Sequence, residues 1–441
     1  MTQRILKIRG GNKLVGNVKI SGAKNSAGHL LAASILTKEN CIIHNVPDIV
    51  DTTITINILV DCGVQVKRLD RHSYLINASS INKTIVNNSL AKDSRAPAIF
   101  LGAIASRCGE AAIPQPGGDK IGKRPLDRHL NALEKLGYKT SFDGSHYYLK
   151  ADNLHPAEIA FGKSTHMGTD NVLFASCLIP GVTTIVNAAE EPEVDDMIEY
   201  LNSMGAKIKR IKHRKIKVEG VKELHGTEYT AMPDRNEAVT YAVAALITGG
   251  NIFLEGIKTN QIMAFLKNIK LMGAKYKVDA NGVLIESPAK LKSVNMVTGA
   301  HPGFMTDWQP QITTLMTQSV GTSNIIEKVH SNRFGYVNDL IKMGANIKLY
   351  NPQIDNPNTY YDFDLIEGDS SYHACQVIGP AKLNGITTAV LDIRAGAAIV
   401  LAGLCAEGET ILTGLAPLER GYEDLILKLS ALGADIRIYE Q

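Results

Sequence analysis

The sequence predicts an α/β protein of two domains, assembled from six repeated βαβα-type units, three per domain. Two patterns predict this. The first is a phrase of leucine or isoleucine, two variable residues, a Cys, Leu or Met, and then glycine. It returns at residues 59–63, 133–137, 201–205, 269–273, 340–344 and 429–433. Each glycine is followed by alternation of the type Val64-Gln65-Val66-Lys67, Ala206-Lys207-Ile208-Lys209 or Ala434-Asp435-Ile436-Arg437. That combination describes an amphipathic helix closed by a C-terminal glycine and followed by a half-buried strand. The second pattern lies between these phrases: an apolar helix, a tight turn and a β-rich run, as in 96–106 before Gly109, 171–178 before Gly181 and 395–406 before Gly408. These helices are apolar nearly all round, so they belong in the middle of a domain. A repeat of this kind fixes the architecture, and residues that depart from it become candidates for chemistry.

The copies are not aligned with the chain termini. Lys13-Leu14-Val15-Gly16 matches Glu223-Leu224-His225-Gly226 and Lys382-Leu383-Asn384-Gly385, and past those glycines stand Asn25, Arg235 and Arg394. The last copy ends after Ile436-Arg437-Ile438-Tyr439, without the part that residues 4–20 would supply. The expected domains are therefore 24–231, carrying a catalytic loop at 114–127, and 1–23 together with 232–441. The extra length at 351–369 is rich in Asn, Asp, Pro and Tyr and reads as an exposed loop.

Composition narrows the class. A length of 441 residues suits two or three domains. The net charge of +3, from 47 basic and 44 acidic residues, gives no global support to a nucleic-acid partner. The first residues lack the apolar core of a signal peptide, and no apolar run approaches the ~18 residues of a membrane span. The six scattered cysteines have no paired metal spacing and read as free thiols, mostly buried, in a reducing cytoplasm.

The starts of the apolar helices carry unexpected polar residues: Lys24-Asn25, Arg95, Thr169-Asp170, Asp234-Arg235, Thr306-Asp307 and Asp392-Ile393-Arg394. Helix N-termini present free N–H groups and partial positive charge, which suit anions. Asp170 and Asp234 are read first as caps. Lys24, Arg95 and Arg394 are harder to explain structurally, because the dipole repels them, and they point to anion binding. Packing of the two domains would aim both sets at a common cleft. The segment Pro116-Gly117-Gly118-Asp119-Lys120-Ile121-Gly122-Lys123-Arg124-Pro125-Leu126-Asp127 reads as a mobile loop feeding a helix. It nearly matches a phosphate-binding P-loop, but Arg124 stands where the magnesium-binding Ser or Thr is needed and Pro125 interrupts the helix. The histidines show no metal spacing, and nothing requires a metal or another cofactor.

Taken together, Ile20-Ser21-Gly22-Ala23-Lys24-Asn25, the loop 116–127, Met232-Pro233-Asp234-Arg235, Thr306-Asp307, Asn332-Arg333-Phe334, Asp392-Ile393-Arg394-Ala395 and Arg420-Gly421-Tyr422-Glu423 resemble the UDP-N-acetylglucosamine enolpyruvyl transferases (1-carboxyvinyltransferases). The resemblance runs from about residue 4 to 438. It implies an inside-out α/β barrel of two three-unit domains with a cleft between them. It also implies transfer of enolpyruvyl from phosphoenolpyruvate to the sugar 3′-hydroxyl, by addition and elimination with release of phosphate, as the first committed step of peptidoglycan precursor synthesis. Both substrates are small molecules, and neither nucleic acid nor membrane is involved. Lys24, Arg124, Arg333, Arg394 and Arg420 match the phosphoenolpyruvate-binding cations. Asp307 matches the residue that contacts the attacking hydroxyl and takes its proton, and Lys24, Arg394 and Asp119 join it in the catalytic set. Asn25, Arg95, Arg124, Pro125, Asp127, His129, His166, Gly168, Asp307 and Val329 fall at positions that contact the UDP-sugar. Domain closure over both ligands would exclude water.

Departures qualify what the resemblance implies. Asp119 replaces the cysteine that most relatives carry, the thiol alkylated by fosfomycin. An ordinary Asp pKa of ~3.9 leaves about one part in a thousand protonated at pH 7, and Lys120 and Lys123 oppose any rise. Asp119 is expected to serve loop closure or product release first and proton donation second, and the chain is expected to be insensitive to fosfomycin. His166-Met167-Gly168 replaces the usual Ser-Val-Gly, and Ser331 a common Glu. His166 either stacks on or hydrogen-bonds the nucleotide or is an exposed loop residue; Trp308 is either a cleft wall or core. Two rival readings remain: a related transferase acting on shikimate 3-phosphate, and a non-catalytic paralogue that binds a UDP-sugar.

Overall fold

The computed structural model describes residues 4–91, 94–118, 125–365, 368 and 370–440. They divide into two compact units, one of residues 4–20 and 233–440, the other of residues 21–118 and 125–232. Each unit has its own hydrophobic core. Each also has three small sheets.

The glycine phrase has one structural meaning throughout. Gly63, Gly137, Gly205, Gly273, Gly344 and Gly433 all hold left-handed backbone, with φ between 86° and 106°. Each glycine N–H donates to the carbonyl three residues back, as Gly205 does to Asn202 and Gly433 to Ser430. In five copies the residue after the glycine donates to the carbonyl of the leucine or isoleucine that opens the phrase: Val64 to Leu59, Ala206 to Leu201, Ala274 to Ile269, Ala345 to Leu340 and Ala434 to Leu429. This pair of bonds satisfies the last carbonyls of the helix and turns the chain out of it. Only glycine takes that φ without a Cβ penalty.

The strand that follows is always the outermost of its sheet, as Gln65–Arg68, Lys207–Lys212 and Asp435–Glu440 are. Five sheets share one plan: three antiparallel strands and a parallel fourth on the opposite edge. In the sixth, a parallel bridge from Ile85 to Ala112 takes the place of that fourth strand. The strand Arg4–Arg9 lies antiparallel between Glu409–Thr413 and Asp435–Glu440, with Leu6 opposite both Leu412 and Ile438. The beginning of the chain thus completes the last sheet.

The apolar helices are buried inside their units. In Arg235–Ile247 all 13 residues are buried. Ile393–Cys405 has mainly small and aliphatic residues facing in every direction. The units are therefore helices enclosed by small sheets, with no closed strand barrel among the described residues. In the unit of residues 21–118 and 125–232, Pro97–Cys108 and His166–Cys177 cross closely at Gly102. Its N–H donates to Asn171 Oδ1 at 2.7 Å, and Asn171 Nδ2 donates to the Ala98 carbonyl at 3.0 Å. One side-chain amide thus satisfies two backbone groups of the neighbouring helix.

Among its described residues the segment 351–369 is mostly exposed loop, as expected, but not throughout. It contains a short helix, Pro357–Tyr360, and Tyr361 and Phe363 stack on each other and pack against His373 with most of their surface buried. Apolar aromatic area, which a composition dominated by Asn, Asp and Pro conceals, ties it down. Cysteines 41, 62, 177 and 375 are buried; Cys405 is half-buried and Cys108 is exposed.

A Cβ at Gly102 would stand 2.8 Å from the Asn171 backbone carbonyl and 2.6 Å from its Oδ1. Gly102→Ala is expected to lower the unfolding free energy by about 2 kcal/mol or more, read from urea melts at unchanged helix content.

Candidate active site

The site residues fall into two groups, one in each unit. In the unit of residues 4–20 and 233–440, Asp307 lies in a single turn, Thr306–Trp308, that leads into the helix Gln309–Met316. Arg394 is the second residue of Ile393–Cys405, whose N-terminus is capped by Asp392: its carboxylate accepts the N–H groups of Arg394 and Ala395. That cap absorbs the free helix donors and leaves the Arg394 side chain to reach Asp307, Nε at 3.2 Å and Nη2 at 3.1 Å from Oδ2. Arg333 Nη2 meets the other oxygen at 3.0 Å, while its Nε donates to the Thr306 carbonyl.

Both arginine side chains are 5% exposed or less, whereas Asp307 keeps 23%. Burial alone would push the Asp307 carboxyl up, but the charges of Arg394 and Arg333, with His330 beyond, outweigh it. They hold the carboxyl well below the usual carboxylate range. Burial likewise opposes the Arg394 charge, which Tyr422 and Asp307 more than restore. The Tyr422 ring centroid is 5.4 Å from the Arg394 guanidinium carbon. Tyr422 is itself anchored, its hydroxyl 2.8 Å from Thr240 Oγ1, and so fixes the segment that carries half-buried Arg420. Glu327 shapes the approach to Arg333: fully buried, with its carboxyl pushed up by burial, it accepts the N–H groups of Val329 and His330.

In the other unit, Lys24 opens the helix Lys24–Ala33, and its Nζ is 2.8 Å from Asp51 Oδ2. The helix dipole disfavours a lysine there, and Asp51 compensates. Asn25 follows, half-buried. His129, in Asp127–Glu134, is buried, and its Nδ1 is 3.2 Å from Asn171 Nδ2. Asn171 already accepts from Gly102 through Oδ1, so its nitrogen donates and His129 carries its proton on Nε2. Burial, then the nearby Arg95 charge, pushes His129 down to about 3. It is a neutral donor at pH 7. Pro125 and Asp127 are exposed, and Arg95 is half-buried ahead of Pro97–Cys108.

Gly168 sits in the first turn of His166–Cys177, where its N–H donates to the capping Thr165 Oγ1. The cap reading holds for Asp234, which accepts from Asn236 and Glu237, but not for Asp170. Thr165 is the cap, and Asp170 stands a turn inside the helix, fully buried, 2.7 Å from His29 Nδ1 and 3.4 Å from His166 Nε2. His166 is therefore no exposed loop residue. Burial disfavours its charge, but Asp170 overcomes this and raises it to about 9, while His29 is pushed down by burial. Trp308 is core: 1% exposed, it meets Phe265 and Phe304 edge-on.

Asp119 and Arg124 lie outside the described residues. The structure brings Asp307, Arg333 and Arg394 into direct contact, with Val329 joined to the same turn through Glu327. In the other unit, His129, His166 and Gly168 are linked only through Asn171, Asp170 and the start of one helix. Asp51, Asn171 and His29 were given no part in the site by the sequence reading, and Tyr422 entered it only within the motif Arg420-Gly421-Tyr422-Glu423, without a role of its own. Only the spacing of His166 and Asp170, four residues apart and hence on one helix face, offered a signal.

His129 yields a pH prediction. The unfolded chain takes up this proton near 6.5, whereas the folded site resists it until about 3. Folding is thus penalised as pH falls through that window, by roughly 1.4 kcal/mol per pH unit. His129→Gln is expected to flatten the acid side of a stability-against-pH curve by up to that slope.

Residues 8–429 match the EPSP synthase (3-phosphoshikimate 1-carboxyvinyltransferase) family. The chain is 38% identical, over 98% of its length and 99% of the relative, to the UDP-N-acetylglucosamine 1-carboxyvinyltransferase of Methylacidiphilum infernorum. It is 37% identical, with 98% of each covered, to the protein of that name from Magnetococcus marinus. Among solved structures, the enolpyruvyl transferase NikO from Streptomyces tendae superposes with a TM-score of 0.85 at 25% identity, covering 100% of both chains. EPSP synthase from Acinetobacter baumannii shares the fold, with a TM-score of 0.73 at 15% identity, covering 99% of this chain and 100% of that one. The chain belongs to the EPSP synthase family and, within it, to the UDP-N-acetylglucosamine 1-carboxyvinyltransferases.

Proposed function

We propose that this protein transfers enolpyruvyl from phosphoenolpyruvate to the 3′-hydroxyl of UDP-N-acetylglucosamine with release of phosphate, in peptidoglycan precursor synthesis. The observation that carries the reading is the convergence of two buried guanidiniums, Arg333 and Arg394, on one partly exposed carboxylate, Asp307. A binder of sugar nucleotides alone has no need of two desolvated cations at a catalytic acid. A substrate with a phosphate and a carboxylate does need them, since each group can be clamped bidentately.

The same geometry supports a sequence of events. Before substrate arrives, the arginines hold Asp307 ionised and weakly basic. Phosphoenolpyruvate, bound by Arg333 and Arg394 with Lys24, Arg124 and Arg420, competes for those guanidiniums. Asp307 loses part of its stabilisation, its basicity rises, and it accepts the proton of the attacking hydroxyl. The hydroxyl oxygen adds to the substrate's C2 while C3 gains a proton. Elimination then removes a proton from C3 and breaks the C2–O bond to phosphate, which leaves with the bonding electrons, so the C2–C3 double bond returns. Asn25, Arg95, Pro125, Asp127, Gly168 and Val329 serve the UDP-sugar, with neutral His129 donating through Nε2 and His166 offering positive charge near the diphosphate. Asp119 acts in loop closure or product release.

Phosphate release from phosphoenolpyruvate is expected to depend on UDP-N-acetylglucosamine and to be absent with shikimate 3-phosphate. Asp307→Asn is expected to lower kcat by about 100-fold or more at unchanged fold. Release without the UDP-sugar, or none with it, would overturn the reading. Fosfomycin at stoichiometric concentration is expected to leave the activity intact, because a carboxylate attacks an epoxide far more slowly than a thiolate. Time-dependent irreversible loss would refute the assigned insensitivity.

A further inference from the structure

We propose that His29, His166 and Asp170 form a binding site for a zinc-class divalent metal ion. His29 belongs to the helix Lys24–Ala33, and His166 and Asp170 lie four residues apart on one face of His166–Cys177. His29 Nδ1 and His166 Nε2 both approach the same carboxylate oxygen, at 2.7 Å and 3.4 Å, and the three donor atoms lie within 4.8 Å of one another. Two imidazole nitrogens and a carboxylate oxygen are a donor set that zinc takes with bonds of about 2.0–2.2 Å, and around a tetrahedral ion such atoms stand about 3.3–3.5 Å apart. The 3.4 Å separation of His166 Nε2 from Asp170 Oδ2 already matches that spacing, and side-chain adjustment would bring His29 Nδ1 to it.

A closed acid–histidine hydrogen-bond triad is the alternative, and it leaves atoms unexplained. Asp170 is 0% exposed, yet its Oδ1 has no hydrogen-bond partner among the described residues. His166 Nε2 is buried and makes no hydrogen bond of sound geometry, its 3.4 Å approach to Asp170 being an ion-pair distance. Glu191 Oε2 is buried without a hydrogen-bond partner as well, and its charge acts on His166. Buried polar atoms are nearly always satisfied, and orphaned oxygens beside two imidazoles describe a cradle for a cation. The ion would enter by displacing the ring protons that face the carboxylate, that of His166 Nε2 to solvent and that of His29 from Nδ1 to its opposite nitrogen. It would leave a coordination position open to water.

Such an ion would join the helix that carries Lys24 and Asn25 to the helix that carries Gly168. The site shares His166 with the transfer reading, but its ligands, binding and effect on stability can be measured without substrate, so the two readings can fail separately.

The test is zinc titration of chelator-stripped, dialysed protein against a chromogenic competitor, with Co²⁺ substitution and thermal unfolding alongside. The expected result is one ion per chain bound at micromolar free zinc, with a Tm that rises with zinc concentration. The Co²⁺ spectrum should show nitrogen and oxygen ligation without a thiolate charge-transfer band. His166→Ser, in a partly exposed first turn, and His29→Gln and Asp170→Asn are each expected to weaken binding at least ~100-fold, with circular dichroism confirming the fold. Absence of stoichiometric binding in the unsubstituted chain would overturn the proposal. So would full binding retained in folded His166→Ser, or a thiolate band pointing to Cys108.

Discussion

The architecture depends on a helix end. Six outer helices must stop, satisfy their last carbonyls and feed a strand into the edge of a sheet within a few residues. The left-handed glycine does all three, because its N–H and that of the next residue turn back onto the final turn of the helix. Once the turn is set, the direction of the strand follows, and the strand closes one side of a sheet whose other strands cover the buried helix. Leucine and glycine in each phrase are therefore two ends of one hydrogen-bonded motif.

That framework places the starts of the buried helices where polar groups can gather. Capping separates the ordinary from the chemical among them. Asp234 and Asp392 spend their carboxylates on helix N–H groups, which is what a cap does. Asp307 instead receives two arginines, and Lys24 is set against Asp51. Buried cations of this kind are costly unless paired. The unit containing Asp307 holds its two buried arginines with its own acid.

The second unit shows a different use of buried polarity. Asn171 satisfies two backbone groups of the neighbouring helix and sets the tautomer of His129, so packing and proton placement are one event. Asp170 sits one residue away, fully buried between two histidines. One side of the helix His166–Cys177 thus locks the core, while its first turns hold a partly exposed histidine against a buried carboxylate.

Much of this was legible in the sequence. The periodicity of the six phrases displays the helix ends, the edge strands and the buried helices, because local hydrogen bonding and burial pattern depend on residues close together in the chain. Lys24, Arg95 and Arg394 stood out because the helix dipole opposes their charges, and a resemblance carried by several ordered motifs assigned roles to them and to Asp307 and Arg333. What stayed hidden depends on residues far apart. Nothing near Lys24 announces Asp51, nothing near His166 announces His29, and the cap reading of Asp170 failed because Thr165 had already taken that position. The aromatic packing of Tyr361 and Phe363 was masked in the same way by a polar local composition. By itself the sequence determined where the outer helices stop and their edge strands follow, since those choices are made by backbone bonds within a few residues. Only the tertiary structure decided which charge meets which, because pairing, burial and protonation depend on distances in space that the order of residues does not contain.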